Sequence, residues 1–158
     1  MLENKITIMS RKAIEELIMD GFPDNVAVIS FFDPKSKRTP KDYVPIDYTG
    51  VCDRVFLVAI HDIDIEILPD FGLTFETYFP EAPALARYII EIVSGGYDII
   101  CQCEYGQSRS AACAAAIKEY YDKNGIEIFA DYRYYPNQLV FNKLLCALKA
   151  EGSENVSL

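Results

Sequence analysis

Short apolar segments rich in isoleucine and valine alternate along this chain with longer segments whose apolar residues recur at helical spacing. Four short segments, KITIMS, NVAVISFF, RVFLVAI and YDIICQC, are predicted to be strands. Continuously apolar strands that alternate with helices are typical of a parallel sheet covered on both faces. We therefore expect an α/β fold with a central, mostly parallel sheet of four to five strands and helices on both faces.

The longer segments predict the helices, and several have a recognisable cap or stop signal. Ser10 is the expected N-cap of a helix over RKAIEELIMD, and Gly21 ends it. A second helix is predicted over roughly residues 79–94, and a third runs from the EYGQS loop to about Lys123. IEIFADYRYYP is interpreted as a short strand or extended segment, after which Asn137 caps the last helix.

The length and composition indicate one ordinary globular domain. We expect residues 1–150 to form this domain and residues 151–158, EGSENVSL, to be a flexible tail. The chain has neither an apolar run near the length of a membrane span nor the pattern of a secretory signal, so we expect a cytoplasmic protein. A net charge of −9 argues against nucleic acid or an anionic membrane as a partner.

Five cysteines, an odd number in a chain of this size, argue against a disulfide framework and favour reduced thiols. Cys101 and Cys103 form a C-x-C pair, but the chain has one histidine and no second ligand pair at zinc-site spacing. We therefore predict no metal site. Cys101 and Cys113 suit packing roles, although capture of an oxidised Cys103 by Cys101 stays open.

One loop combines residues suited to anion chemistry in the order C-x-x-G-x-x-R-S. Cys103 ends the fourth strand, Gly106 lies in the loop, and Arg109 with Ser110 begins the following helix. Backbone N–H groups in such a loop, together with a helix N-terminus, bind oxyanions. Arg109 can bind two phosphate oxygens, and the same positive field favours a thiolate at Cys103. The pattern predicts a nucleophile and a phosphate cradle in one loop.

CEYGQSRS resembles the H-C-x5-R-S/T signature of the cysteine-dependent protein tyrosine and dual-specificity phosphatases. AIHDI before a helix, and ADYRYYPN before the last helix, are also similar to compact members and to small bacterial proteins of this family. The resemblance implies a phosphatase-like fold and hydrolysis of phosphate monoesters on protein tyrosine, and also on serine or threonine, without a metal or organic cofactor. The implied partner is a phosphoprotein or a small phosphate monoester.

The resemblance also implies residue roles. Cys103 would form a phosphocysteine, Arg109 would hold the equatorial oxygens, and Ser110 would assist hydrolysis. Asp62 would be the general acid, with Asp64 and then Asp70 as the alternatives. The phosphate cradle would be formed by the backbone amides of Glu104, Tyr105, Gly106, Gln107, Ser108 and Arg109.

Gln102 stands where the family usually has a histidine that orients the loop, which implies lower activity or a shift to higher pH. A phosphate-binding module without turnover and a rhodanese-like sulfurtransferase therefore stay open, as does a merely buried thiol at Cys103. The chain's one histidine, His61, adjoins the expected acid instead. Tyr105, or Tyr43 and Tyr48 in the earlier loop, is a candidate to flank an aromatic phosphate ester.

Overall fold

Four parallel strands form the central sheet of the computed structural model, which describes residues 2–156. The spatial order of the strands is β1-β4-β2-β3, and every neighbouring pair is parallel. All four strands fall on the segments predicted from apolar patterning. The strands are β1 (Ile6–Met9), β2 (Val26–Phe32), β3 (Val55–Ala59) and β4 (Asp98–Gln102).

Helices cover both faces of the sheet, because side chains of successive strand residues point to opposite faces. In β2, Val26 and Val28 pack with Ile14 of the first helix, whereas Ala27 and Ile29 pack into the larger core against three other helices. The α/β architecture predicted from the sequence is thus confirmed. The helices are α1 (Arg11–Asp20), α2 (Ala82–Ser94), α3 (Arg109–Asp122), α4 (Ile126–Phe129) and α5 (Gln138–Val156), with a 3₁₀ turn at Leu68–Phe71.

The predicted caps are present. The Ser10 hydroxyl accepts a hydrogen bond from the Ala13 amide at 3.1 Å, and Gly21 ends α1 with a φ of 122°. At the other end of the chain, the Asn137 side-chain oxygen accepts from the Val140 amide at 3.0 Å. These local signals set the starts of α1 and α5, which lie close to the loop after β4.

Two local predictions differ from the structure. The segment at 126–129 is a single helical turn, not a strand, because its amides bond locally: Ile128 N–H donates to the Gly125 carbonyl at 3.1 Å. Ile128 is thereby buried against α3. The second helix begins at Ala82 rather than 79, since Phe79 has a left-handed φ of 59° that a helix does not contain.

The last helix continues past Ala150, where we expected the domain to end. Glu151 pairs with Arg87 at 3.0 Å, and Gly152 is buried against the Tyr120 hydroxyl. Residues 151–156 are therefore helical, and the rest of the expected flexible tail, 157–158, lies outside the described residues. Within the described part of the chain, no helix has both the length and the apolar character needed to cross a bilayer.

Candidate active site

The loop at 103–108 connects β4 to α3 at the carboxyl end of the parallel sheet, where ligands bind in folds of this kind. Its Gly106 has a φ of 66°, and a side-chain Cβ there would lie 2.7 Å from the Ser10 backbone nitrogen. The Arg11 amide donates to the Glu104 carbonyl at 3.0 Å. The loop is thus held against the β1–α1 junction, and only glycine fits at its tightest contact.

Cys103 and Ser110 lie together at the base of this loop. The Cys103 Sγ is 3.0 Å from the Ser110 Oγ, and both residues are buried. Ser110 belongs to the first turn of α3, so the sulfur also lies near the positive end of that helix dipole. The structure thereby brings together the two residues that the C-x5-R-S spacing paired.

Arg109 is buried, with 4% of its surface exposed, and its partners are the residues that directly follow β2 and β3. One terminal nitrogen donates to the Asp33 carboxylate at 2.8 Å and to the Ile60 carbonyl at 2.7 Å. The Nε of Arg109 has no hydrogen-bond partner among the described residues. Because buried polar groups are nearly always paired, an unpaired guanidinium nitrogen indicates a site for an acceptor from a ligand.

Asp33 was not among the residues that sequence reasoning selected. Its signal was its place directly after β2, since the carboxyl ends of parallel strands meet at one edge of the sheet. The Tyr43 hydroxyl, which accepts from the Asp33 amide at 3.2 Å, lies 3.4 Å from the Glu104 carboxylate. Tyr43 therefore links the loop after β2 to the loop at 103–108, which we call the cradle loop.

The Gln102 side chain is buried and hydrogen-bonded next to Cys103. Its Oε1 accepts hydrogen bonds from the Ser30 hydroxyl and, at 2.8 Å, from the Tyr48 hydroxyl. Its Nε2 donates to the Cys103 carbonyl at 2.9 Å. Burial raises the pKa of Tyr48 to about 12, so this phenol keeps its proton and donates. Tyr48 is 5% exposed, and its hydroxyl donates to Gln102. The expectation that Tyr48 flanks a substrate is therefore wrong.

The three aspartates considered as acids have different surroundings. The Asp62 Oδ1 accepts from the Ser108 hydroxyl at 2.6 Å and from the Asn137 amide at 2.9 Å. Asp64 instead accepts from backbone amides of the turn that follows it, at 3.1 and 3.3 Å. Asp70 lies in the 3₁₀ turn. Of these three aspartates, Asp62 is the one that the observed hydrogen bonds connect to the cradle loop.

Asn137 was predicted only as a helix cap, but it has a second role in the site. The side-chain Nδ2 of Asn137 donates to the Asp62 carboxylate and, at 3.0 Å, to the Ile63 carbonyl. The backbone N–H of Asn137 donates to the Ser108 carbonyl at 3.2 Å. One residue thus fixes the start of α5, the cradle loop and the segment that carries Asp62.

His61 lies beside the site without contacting the cysteine in the observed hydrogen bonds. Its ring packs on Phe71 with centroids 4.6 Å apart. Partial burial lowers the pKa of His61, and the nearby Arg109 acts in the same direction, whereas Asp33 opposes them. The neutral imidazole is therefore favoured near the guanidinium.

The remaining thiols are fully buried, half-buried or exposed, and Cys52 is the half-buried one. Cys101 and Cys113 are fully buried, and burial together with the neighbouring thiols raises the pKa of Cys113. Cys146 is exposed. Across the described residues, no three side chains of His, Cys, Asp or Glu lie in an arrangement that could hold a metal ion.

Known proteins share this fold. No family model and no curated protein matches the sequence, but solved structures of cysteine-dependent tyrosine and dual-specificity phosphatases match the architecture. PTPMT1 in complex with PI(5)P has a TM-score of 0.55 at 12% identity, covering 98% of this chain and 96% of its own. OH1 from the Orf virus, described as a tyrosine phosphatase with triple substrate specificity, has a TM-score of 0.54 at 12% identity over 92% and 82%.

A leucine-rich-repeat and phosphatase-domain protein from Entamoeba histolytica gives a TM-score of 0.52 at 13% identity, covering 98% of this chain and 93% of its own. At such low identities these likenesses establish the fold. The chain therefore has the phosphatase-like α/β fold that its cysteine loop implied.

Proposed function

We propose that this protein hydrolyses phosphate monoesters on protein tyrosine, and also on serine or threonine, through a phosphocysteine at Cys103. One observation carries the proposal: a buried guanidinium with an unpaired nitrogen follows directly on a glycine-bearing loop whose thiol is paired with a hydroxyl. That combination suits a tetrahedral oxyanion placed above the sulfur.

The first step forms a sulfur–phosphorus bond and breaks the bond between phosphorus and the ester oxygen. The Cys103 thiolate supplies the electron pair, and the loop amides of residues 104–109 with Arg109 stabilise the charge on the equatorial oxygens. Asp62, bound to Ser108 at the rim of the loop, supplies the proton to the leaving oxygen.

The second step returns the enzyme to its starting state. Water attacks the phosphocysteine, Asp62 accepts the proton of that water, and the sulfur leaves as a thiolate. The Ser110 hydroxyl, 3.0 Å from Cys103 Sγ, stabilises the departing thiolate by donating a hydrogen bond.

The proposed setting follows from the chemistry of the nucleophile. The thiolate must stay reduced, and the cysteines of the chain are free thiols. We therefore place the protein in a reducing compartment, the cytoplasm. A phosphoprotein suits a chain of net charge −9 better than an anionic lipid surface or nucleic acid does.

Hydrolysis of an aryl phosphate by the purified protein tests the proposal. We expect turnover in the presence of a chelator, inhibition by vanadate and no turnover by Cys103→Ser. Cys146→Ser, which changes an exposed cysteine, should keep full activity. Unchanged activity of Cys103→Ser would overturn the mechanism.

One observation favours a second candidate, a phosphate-binding module without turnover: Gln102 stands where the resemblance leads one to expect a histidine. Calorimetry with a phosphopeptide separates the two functions, because the module binds and releases no phosphate. A sulfurtransferase is separated by incubation with thiosulfate, which would convert Cys103 to a persulfide.

A further inference from the structure

A groove of about 670 Å³ opens beside Asp62. One wall is the segment DIDIEI at 62–67, which alternates carboxylates with isoleucines. The opposite wall is formed by residues 135–139 and Asn142, where α5 begins. Both walls meet the cradle loop at Ser108, so the groove is continuous with the proposed phosphate site.

Hydrogen bonds fix the end of the groove that meets the phosphate site. The Tyr135 amide donates to the Gln107 carbonyl at 2.8 Å, and Asn137 binds Asp62 across the gap. The wall at 62–67 is held by the Asp64 turn and by the Asn137 bond to the Ile63 carbonyl. The groove is therefore built by the same contacts that position the proposed acid.

The chemistry of the lining is acidic and apolar together. Asp64 and Glu66 contribute carboxylates in addition to Asp62, and no lysine, arginine or histidine is among the described lining residues, although the Lys143 ammonium lies 5.0 Å from the centroid of the Phe75 ring in the groove. Large apolar side chains in the groove also remain exposed to solvent. These are Ile65, Ile67, Phe75 and Tyr135.

We propose that this groove binds the part of a phosphoprotein that flanks the phosphorylated residue, and that it selects segments carrying arginine or lysine beside apolar residues. This proposal rests on the proposed function. Each residue of an extended segment advances about 3.3 Å, so residues close to the phosphorylated position reach Asp64 and Glu66. The exposed isoleucines bury the aliphatic stems and apolar neighbours of the basic residues.

Charge complementarity selects this occupant over the others. A second copy of the chain carries the same net charge of −9 and is repelled, as is an anionic lipid headgroup. A basic flank is attracted to the groove, while its phosphate is bound by Arg109. The phosphate and the basic side chains thus meet opposite charges at neighbouring places.

The test compares three short phosphotyrosine peptides that differ only in having arginine, alanine or glutamate on both sides of the phosphotyrosine, each with one leucine. We expect kcat/KM to be about three- to tenfold higher for the arginine peptide than for the alanine peptide. The glutamate peptide should be slowest, and added salt should compress the series.

Paired variants localise the effect. Glu66→Gln, at an exposed carboxylate of the groove wall, should reduce the preference for arginine toward unity, and activity on p-nitrophenyl phosphate, which is too small to enter the groove, should be unchanged. Glu16→Gln, an exposed carboxylate on α1, is the matched control for net charge and should keep the preference. A preference that survives Glu66→Gln, or that Glu16→Gln removes equally, overturns the proposal.

Different hydrolysis results would overturn the proposed function and the groove proposal. If p-nitrophenyl phosphate and all peptides go unhydrolysed, the proposed function fails, and the groove is then tested by peptide binding to Cys103→Ser: equal Kd values for the three peptides overturn it. If p-nitrophenyl phosphate is hydrolysed and the three peptides react equally, the groove proposal alone fails.

Discussion

The Gln102 side chain donates a hydrogen bond to the carbonyl of Cys103 at 2.9 Å, so the residue before the proposed nucleophile fixes the nucleophile's own backbone. The same amide group accepts from Ser30 and Tyr48 through its oxygen. This network ties β2 and the loop that carries Tyr48 to the start of the cradle. A neutral amide thus supplies the orienting contact without a charge.

Gln102→Ala should lower the free energy of unfolding by about 1–3 kcal/mol, because it leaves buried hydroxyls and a carbonyl without partners. Urea denaturation measures the loss, and Gln138→Ala, at an exposed glutamine, is the matched control. In the Gln102→Ala background, Tyr48→Phe should cost less than it does alone, since its hydroxyl has already lost its acceptor. Additive losses would contradict the network.

Ser110→Ala should slow the second chemical step. The variant loses the hydrogen bond to the departing Cys103 thiolate, which is worth about ten- to hundredfold in rate. Because cysteine attack is retained, kcat should fall while kcat/KM stays close to wild type, and rapid mixing should show a burst of aryl alcohol. A parallel fall in kcat and kcat/KM, with no burst, would place Ser110 in the first step instead.

Asp62→Asn should reduce kcat for a phosphotyrosine peptide by about a hundredfold or more, the usual contribution of a positioned general acid. The loss should be smaller with p-nitrophenyl phosphate, whose leaving group needs less protonation. Asp64→Asn and Asp70→Asn, the two other candidates, are the controls. If either of them shows the larger loss, the assignment of the acid passes to that residue.

The local parts of the site were predictable from sequence, because the loop from Cys103 to Ser110 is contiguous and its spacing carries the chemistry. The contacts that complete the site were not. Asp33 meets Arg109 across 76 positions, and Asn137 meets Asp62 across 75. Such pairs depend on strand order and helix placement, which apolar patterning leaves open.

The secondary structure shows the same difference between local sequence signals and contacts from distant residues. Continuous apolar runs and capping residues predicted the four strands and the start of α5. The alternation in IEIF matched a strand equally well, and burial of Ile128 against α3 decides for a helical turn. For such a short segment, the residues that it packs against decide whether it forms a strand or a helical turn.

The pKa of His61 predicts how stability depends on pH. Burial lowers the folded-state pKa below the ordinary value of about 6.5, so below that pH the unfolded chain binds more protons. The contribution of His61 to stability is thus present above pH about 6.5 and is lost as the pH falls. His61→Gln should flatten this part of the profile.

Because His61 is the only histidine, proton NMR reads its titration without assignment. The imidazole resonance of the folded protein should titrate below the value in an unfolded peptide. Asp33→Asn removes the negative charge that raises the pKa of His61, so this variant should lower that pKa further. Arg109→Lys keeps the positive charge that lowers the pKa of His61. A resonance titrating above the peptide value would contradict the burial argument.

In the proposed mechanism the phosphoryl group passes through a covalent bond to Cys103. Quenching with denaturant at mildly alkaline pH during turnover of a phosphotyrosine peptide, followed by mass spectrometry of the protein fragments, detects this intermediate, with Ser110→Ala used to accumulate it. We expect one added phosphoryl group on the fragment that contains Cys103 and none in Cys103→Ser. Turnover with no phosphorylated cysteine, or with the phosphoryl group on another residue, would contradict it.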